Sequence, residues 1–356
     1  MKLLVSALEP SSNLHLKEVL KHTQNIELLG IFDENMTQNM IHGTPLYDIS
    51  EMAIMGVADA IKKLPWFFKV ADEMVKLAKD ADKILLMDSS GFNLPLAKKL
   101  KEKYPDKEIL YYILPQIWAS RPKRAIKLEK YCDTLLGILP FEVDYYTQGK
   151  AQYVGHPLLD EIDVHRVESE TKNVITFMPG SRKSEITRLM PIFLELRRKL
   201  GNNIHPILVI PPSFSRNKIA HLYKGNREFE IVRNTHEALK RSEFAFICSG
   251  TATLEAALIG TPFTLAYIAK KIDFFIGTKL LGITQVGLAN IILTKSNGTS
   301  LHKEILQEEV TVDNLLAEYY NTNQEAFKAS FLKKAKELKT YLGHGSSQNV
   351  ANIIME

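Results

Sequence analysis

Short apolar runs alternate with longer amphipathic stretches along the whole chain. In the first half the runs are Leu3–Ala7, Glu27–Phe32, Lys83–Met87, Glu108–Leu114 and Thr134–Ile138. Near-continuous apolar runs of this length predict parallel strands buried on both faces. Ser11–Lys21 and Leu94–Lys103 between them carry helical spacing. The pattern lapses between Gly155 and Asn173, where the polar string DEIDVHRVESETKN is the best linker candidate. A second series then begins: Val174–Met178, His205–Ile210, Glu230–Val232, Phe244–Cys248 and Phe263–Tyr267. From Thr322 onward the pattern is helical, with a break at Gly343 and Gly345. The βαβ rhythm predicts an α/β chain of two doubly wound, Rossmann-like domains, residues 1–165 and 166–340. Residues 341–356 form a C-terminal helix with the option of returning to the first domain.

A length of 356 residues agrees with two domains. The net charge of +4 falls far short of a nucleic-acid-binding balance, while a pI near 8.7 suits phosphates, nucleotides or an anionic membrane surface. Cys132 and Cys248 stand far apart in apolar settings. They predict neither a disulfide framework nor a metal site, and they fit a reducing cytoplasm. The opening MKLLVSALEPSS reads as a buried strand rather than a secretion signal. The longest apolar stretch, Leu258–Ala269, is broken by Gly260 and Pro262, so no membrane crossing is expected.

Three strand-to-helix turns carry the candidate chemistry. In FAFICSGTATLEAAL an apolar strand ends at Cys248, and Ser249, Gly250 and Thr251 open a helix. Small residues there let backbone N–H groups approach a pyrophosphate, and the helix dipole adds about half a positive charge. Glu255, one turn on, is placed for ribose hydroxyls; the plainer alternative is a helix capped by Thr251 or Thr253. In VITFMPGSRKSEI, Gly180, Ser181 and Arg182 form a second such turn. An arginine there reaches a phosphate with two parallel hydrogen bonds, which lysine does not reproduce.

The third turn, KILLMDSSGFNLPLAKKL, sets Asp88 directly after a buried strand, ahead of a helix starting near Leu94 or Pro95. A carboxylate at a strand C-terminus suits a general base, and the alternative is that Asp88 or Asn93 caps the helix. The first strand ends in a similar turn with Glu9, Asn13 and His15. No dinucleotide fingerprint, P-loop or HExxH occurs. The Asp80-Ala81-Asp82 triplet precedes its strand and reads as a solvated helix end. Ala60–Ala78 is an amphipathic stretch in which Trp66, Phe67 and Phe68 stand beside Lys62, Lys63 and Lys69. It suits either core packing or a lipid interface, as does the Phe274–Phe275 region.

Several strings together resemble the lipid-A-disaccharide synthase family. MPGSRKSEI is similar to its LPGSR-x-x-E signature and SGTATLEAAL to its SGTATLE motif. YILPQIWASRPKRAIKLEK is similar to its Tyr-x-Ser-Pro-x-x-Trp-Ala-Trp-Arg segment. ILPFEVDYY, YVGHPLLDEI and IMGVADAI match its LPFE, VGHP and Met-Gly elements, in order, from residue 3 to about 310.

The resemblance implies an inverting, metal-independent transferase of the GT-B fold. It implies UDP-2,3-diacylglucosamine and diacylglucosamine 1-phosphate as substrates, with no cofactor. The product is a β-1,6 disaccharide of lipopolysaccharide synthesis. It also implies a cytoplasmic location at the anionic inner membrane of a Gram-negative bacterium, with Trp66, Phe67 and Phe68 as the membrane contact. Asp88 then matches the general base and Arg182 the essential arginine. Gly180, Ser181, Ser249, Gly250, Thr251, Ala252, Thr253, Glu255 and Asn290 match the UDP side. Glu9, Asn13, Asn93, Trp118 and Arg121 fall on the acceptor side. The departures gather there too: Leu8-Glu9-Pro10-Ser11-Ser12-Asn13 stands where the family has Gly-Glu-Ala-Ser-Gly-Asp, and Gly91, Ser120 and Ala289 replace Asp, Trp and Pro. A sugar-nucleotide epimerase of the same architecture and a silent lipid-binding paralogue are the rival readings.

Overall fold

The computed structural model describes residues 1–36, 41–49, 64–119, 122–166, 172–248, 250–270 and 285–356. The chain divides into two compact units, Met1–Glu161 with Leu342–Glu356, and Ile162–Tyr341. Each unit is built on one parallel sheet.

In the first unit the strands are β1 (Lys2–Ala7), β2 (Ile26–Phe32), β3 (Ile41–His42), β4 (Tyr47–Asp48), β5 (Lys83–Met87), β6 (Glu108–Tyr112), β7 (Thr134–Gly137) and β8 (Ala151–Tyr153). They lie in the order β3-β2-β1-β5-β6-β7-β8, with β4 also on β2. Helices α1 (Pro10–Leu20), α2 (Leu64–Leu77), α3 (Ser90–Lys103), α4 (Lys123–Tyr131) and α5 (Pro157–Glu161) cover the sheet. In the second unit β9 (Val174–Met178), β10 (His205–Val209), β11 (Glu230–Val232), β12 (Phe244–Ile247), β13 (Phe263–Tyr267) and β14 (Glu304–Leu306) run in the order β11-β10-β9-β12-β13-β14. Its helices are α6 (Lys183–Lys199), α7 (Arg216–Leu222), α8 (Thr235–Lys240), α9 (Ala252–Ile259), α10 (Leu288–Asn297), α11 (Val312–Thr322) and α12 (Glu325–Leu342). The last helix, α13 (Ser346–Met355), belongs to the first unit. There Val350, Ala351 and Ile354 are fully buried in one cluster with Leu16, Val19 and Leu20 of α1.

Strand burial explains this layering. Leu3, Leu4 and Val5 on β1, and Ile84, Leu85 and Leu86 on β5, have no exposed surface, so helices must cover both faces. Each sheet reverses its winding once, between β1 and β5 and between β9 and β12. Ligands of such sheets bind beyond the strand C-termini at that reversal. Register pairs Ala7 with Met87 and Met178 with Ile247. The Glu9 and Asp88 turns are therefore neighbours in one unit, and the Gly180 and Gly250 turns in the other.

The helix after Asp88 begins at Ser90, not near Leu94 or Pro95. Pro95 sits inside it, one turn in, because Asp88 and Ser89 (φ +48° and +36°) turn the chain sharply enough to start the helix early. Strands β3, β4, β8 and β14 were not expected from the sequence; at two or three residues each they are too short to show a pattern.

Candidate active site

In the second unit two strand-to-helix turns enclose a hollow of about 490 Å³, within the size range of small-molecule sites. Gly180 has φ +95°, and a Cβ there would lie 2.5 Å from Glu185 Oε2, so only glycine fits. Glu185, at the start of α6, accepts from the Arg182 backbone N–H at 3.2 Å and from Arg182 Nη1 at 3.0 Å. One carboxylate thereby shapes the turn and holds one edge of the guanidinium. The Arg182 side chain stays 79% exposed and lines the hollow.

Opposite, Gly250 (φ +127°) and Thr251 lead into α9, and among the described residues no side chain caps that helix start. The Thr253 and Leu254 N–H groups bond back to the Gly250 and Thr251 carbonyls, so the helix start offers an anion its dipole and the N–H groups ahead of Thr253. Thr253 is buried and donates to the Gly250 carbonyl at 2.9 Å, so it braces the turn and does not line the hollow. Glu255 does line it, 3.8 Å from His236 Nε2. Gly180, Ser181, Arg182, Gly250, Thr251 and Ala252 line it as well, and Ser249 lies outside the described residues.

Asn290 is not brought to this hollow. It is buried, donating to the His302 carbonyl and Glu304 Oε1 and accepting from the Leu301 and His302 N–H groups. All its capacity goes into joining α10 to β14. One wall of the hollow had no signal in the sequence. Arg233 donates to the carbonyls of Pro211, Pro212 and Phe214 and fixes the loop after β10. A lone arginine after a short strand matches no motif.

In the first unit Asp88 ends β5 in a left-handed backbone conformation, which costs a non-glycine residue about 1 kcal/mol or more. Three groups hold it there. The Asp88 N–H donates to the Tyr112 carbonyl, and the Asp88 carbonyl accepts from the Tyr111 hydroxyl and from Asn93 Nδ2. Burial raises the Asp88 carboxyl above the usual aspartate value, against the opposing pull of the Ser89 N–H and of His15. Glu9 is raised too, first by burial and then by the Asp88 charge.

Asn93 and Asn13 are positioning residues rather than open contacts. Asn13 donates to the Ala7 and Glu9 carbonyls and accepts from the Asp33 N–H, which ties the β1 turn to the end of β2. Trp118 packs edge-on against Phe141 at 5.4 Å. Its indole N–H is buried with no partner among the described residues. Arg121 lies outside them.

The family model of lipid-A-disaccharide synthetase matches residues 3–355. The lipid-A-disaccharide synthase of Helicobacter acinonychis (strain Sheeba) is 46% identical over 364 residues, covering 99% of this chain and 97% of the relative. The chain belongs to the lipid-A-disaccharide synthase family. Two solved structures share its fold at 11% identity. One is a UDP-GlcNAc 2-epimerase from Neisseria meningitidis bound to UDP-GlcNAc (TM-score 0.64, both chains fully covered). The other is the spinosyn rhamnosyltransferase SpnG complexed with thymidine diphosphate (TM-score 0.60, both fully covered). The fold is GT-B, and the family's activity is glycosyl transfer. At 11% identity the epimerase likeness speaks for architecture alone, so family membership decides between the transferase and epimerase readings.

In this family member the expected lipid-contact stripe is split. Trp66 and Phe67 are partly buried against the core, with Trp66 edge-on to Tyr47 at 5.4 Å and Phe67 6.0 Å from Phe92. Phe68 stands 54% exposed, with Lys99 Nζ 5.7 Å from its ring centroid. Lys62, Lys63, Phe274 and Phe275 lie outside the described residues. No helix among the described residues is long and apolar enough to cross a membrane.

Proposed function

We propose that the chain moves 2,3-diacylglucosamine from UDP to the 6-hydroxyl of 2,3-diacylglucosamine 1-phosphate, with inversion and without a metal ion. Asp88 removes the proton from the acceptor hydroxyl, whose oxygen bonds to the donor's anomeric carbon. The bond from that carbon to the UDP oxygen breaks, and UDP leaves with the electron pair. Arg182 and the first N–H groups of α9 take up the charge that develops on the leaving pyrophosphate. Glu255 accepts from the ribose hydroxyls. A carboxyl raised above the usual aspartate range is a stronger base once ionised, closer to what proton abstraction near neutral pH needs.

The observation that supports this reading is a division of labour at the two sheet reversals, in a chain of this family. One carries a strained, half-buried carboxylate, and the other a hollow lined by a helix start, Arg182, Arg233, Glu185 and Glu255. Acylated substrates reside in a bilayer, so peripheral docking at the inner membrane is part of the proposal, with Phe68 as the inserting ring and Lys69 beside it. The test is a mass measurement of product after incubation with both lipid substrates, with and without EDTA. A disaccharide formed equally in both supports the reading. UDP-sugar turnover without acceptor, or loss of product with EDTA, overturns it.

A further inference from the structure

Arg124 lies in the first turn of α4, half-buried, and its Nη1 donates to the Ser90 hydroxyl at 2.7 Å. Ser90 opens α3, two residues beyond Asp88. The Tyr111 hydroxyl donates to the Asp88 carbonyl, so Ser90, the partner of Arg124, opens its helix directly beyond a turn held by that hydroxyl. Arg124 is in no ion pair with a carboxylate among the described residues. Next to Ser90, Gly91 is exposed, and a Cβ added there would meet nothing within 4 Å, so the start of α3 is open to solvent. A half-buried guanidinium with no carboxylate partner among the described residues, sharing a hydroxyl partner, is built to take an anion with two parallel hydrogen bonds.

We propose that Arg124 and the Ser90 hydroxyl bind the phosphate on the acceptor's anomeric carbon, selecting a sugar 1-phosphate over the same sugar without it. The inference rests on the reading that Asp88 activates an acceptor hydroxyl. Ser90, which Arg124 engages, is two residues from Asp88, so the phosphate and the reacting hydroxyl fall on one acceptor molecule. Arg182 holds the departing UDP in the other unit, so the two arginines serve different anions.

The test compares the acceptor with its dephosphorylated counterpart in wild type, Arg124→Gln and Ser90→Ala. Losing a charge-assisted pair lowers kcat/KM for the phosphorylated acceptor by about 10- to 100-fold in Arg124→Gln. On the dephosphorylated acceptor the loss stays under about threefold, and Ser90→Ala, a milder change, follows the same pattern. Equal losses on both acceptors would place Arg124 in service of Asp88 and overturn the proposal. An independent arm needs no turnover: binding of glucosamine 1-phosphate, followed by NMR with UDP present to fill the nucleotide hollow. Weaker binding by folded Arg124→Gln supports the phosphate site, and unchanged binding removes it even where no disaccharide forms. Absence of disaccharide with intact phosphate binding would instead count against the proposed reaction alone.

Discussion

Asn93 Nδ2 donates to the Asp88 carbonyl at 3.1 Å and to the Met87 carbonyl at 2.9 Å, while its Oδ1 accepts from the Ser6 hydroxyl at 2.6 Å. One fully buried amide thus ties β1, the end of β5 and the start of α3 together around the candidate base. Asn93→Ala leaves buried donors and acceptors unpaired, each costing about 1–3 kcal/mol. The expected outcome is a lower urea midpoint and a kcat loss, with UDP affinity retained in protein that is still folded. A kcat equal to wild type in the folded variant would show that the strained turn holds without it.

Asp88→Asn should reduce turnover by about 10²–10⁴-fold while leaving UDP binding nearly intact. A base must be ionised, and the Asp88 carboxyl is raised by burial. Wild-type kcat should therefore fall as pH drops through a value above the usual aspartate range. Activity within threefold of wild type in the variant leaves Glu9 as the next candidate.

Arg182→Lys should impair UDP binding nearly as much as Arg182→Ala. Glu185 already engages one edge of the guanidinium, and a lysine ammonium cannot hold Glu185 and a phosphate in the same planar geometry. Glu185→Gln should weaken UDP binding through the turn itself, since Glu185 also receives the Arg182 N–H. Calorimetric titration with UDP decides it; two unchanged affinities would relocate the nucleotide site.

Each unit holds a buried, neutral histidine. Burial lowers His156 to about 3, with His15 adding to it, and lowers His302 to about 4. The unfolded chain takes up these protons near the ordinary value of 6.5, whereas the folded chain refuses them until far lower pH. Stability is thus fully present above about 6.5 and is lost as pH falls towards 4, by about 1.4 kcal/mol per pH unit per histidine. Urea midpoints at pH 7 and pH 5 measure the loss, and His302→Gln should flatten it for the second unit.

Phe68→Ser should lower binding to anionic vesicles with little change in melting temperature, because the ring is already exposed. Trp66→Ser should lower the melting temperature instead, since that ring packs against Tyr47 and the core. Vesicle binding that survives Phe68→Ser intact would place docking elsewhere on the chain.

The long buried strands and the strand-to-helix turns after Met178 and Cys248 are legible in the sequence, because a strand covered on both faces leaves an unbroken apolar signature. What stayed hidden depends on partners far along the chain. Asn13, Asn93 and Asn290 look like site residues when read by position, yet each satisfies buried backbone groups. Arg233 carries no motif, and Arg124 lies three residues past the match to the Trp-Ala-Trp-Arg segment; they become visible only once the fold sets one at the hollow and the other on the Ser90 hydroxyl. The early start of α3 was missed because a proline in sequence reads as a boundary, while a left-handed pair before it had already turned the chain.

The placement of α13 has a consequence for biosynthesis. Val350, Ala351 and Ile354 close the core against α1, yet they are translated only after the whole of Ile162–Tyr341. The first unit to be translated is therefore the second to be completed. Until Ser346–Met355 emerges, a nascent chain carries Leu16, Val19 and Leu20 under an unfinished cover, while Ile162–Tyr341 already holds all of its own strands. Completion of the first unit therefore waits on synthesis of the second, and the α1 face is exposed apolar surface during that interval.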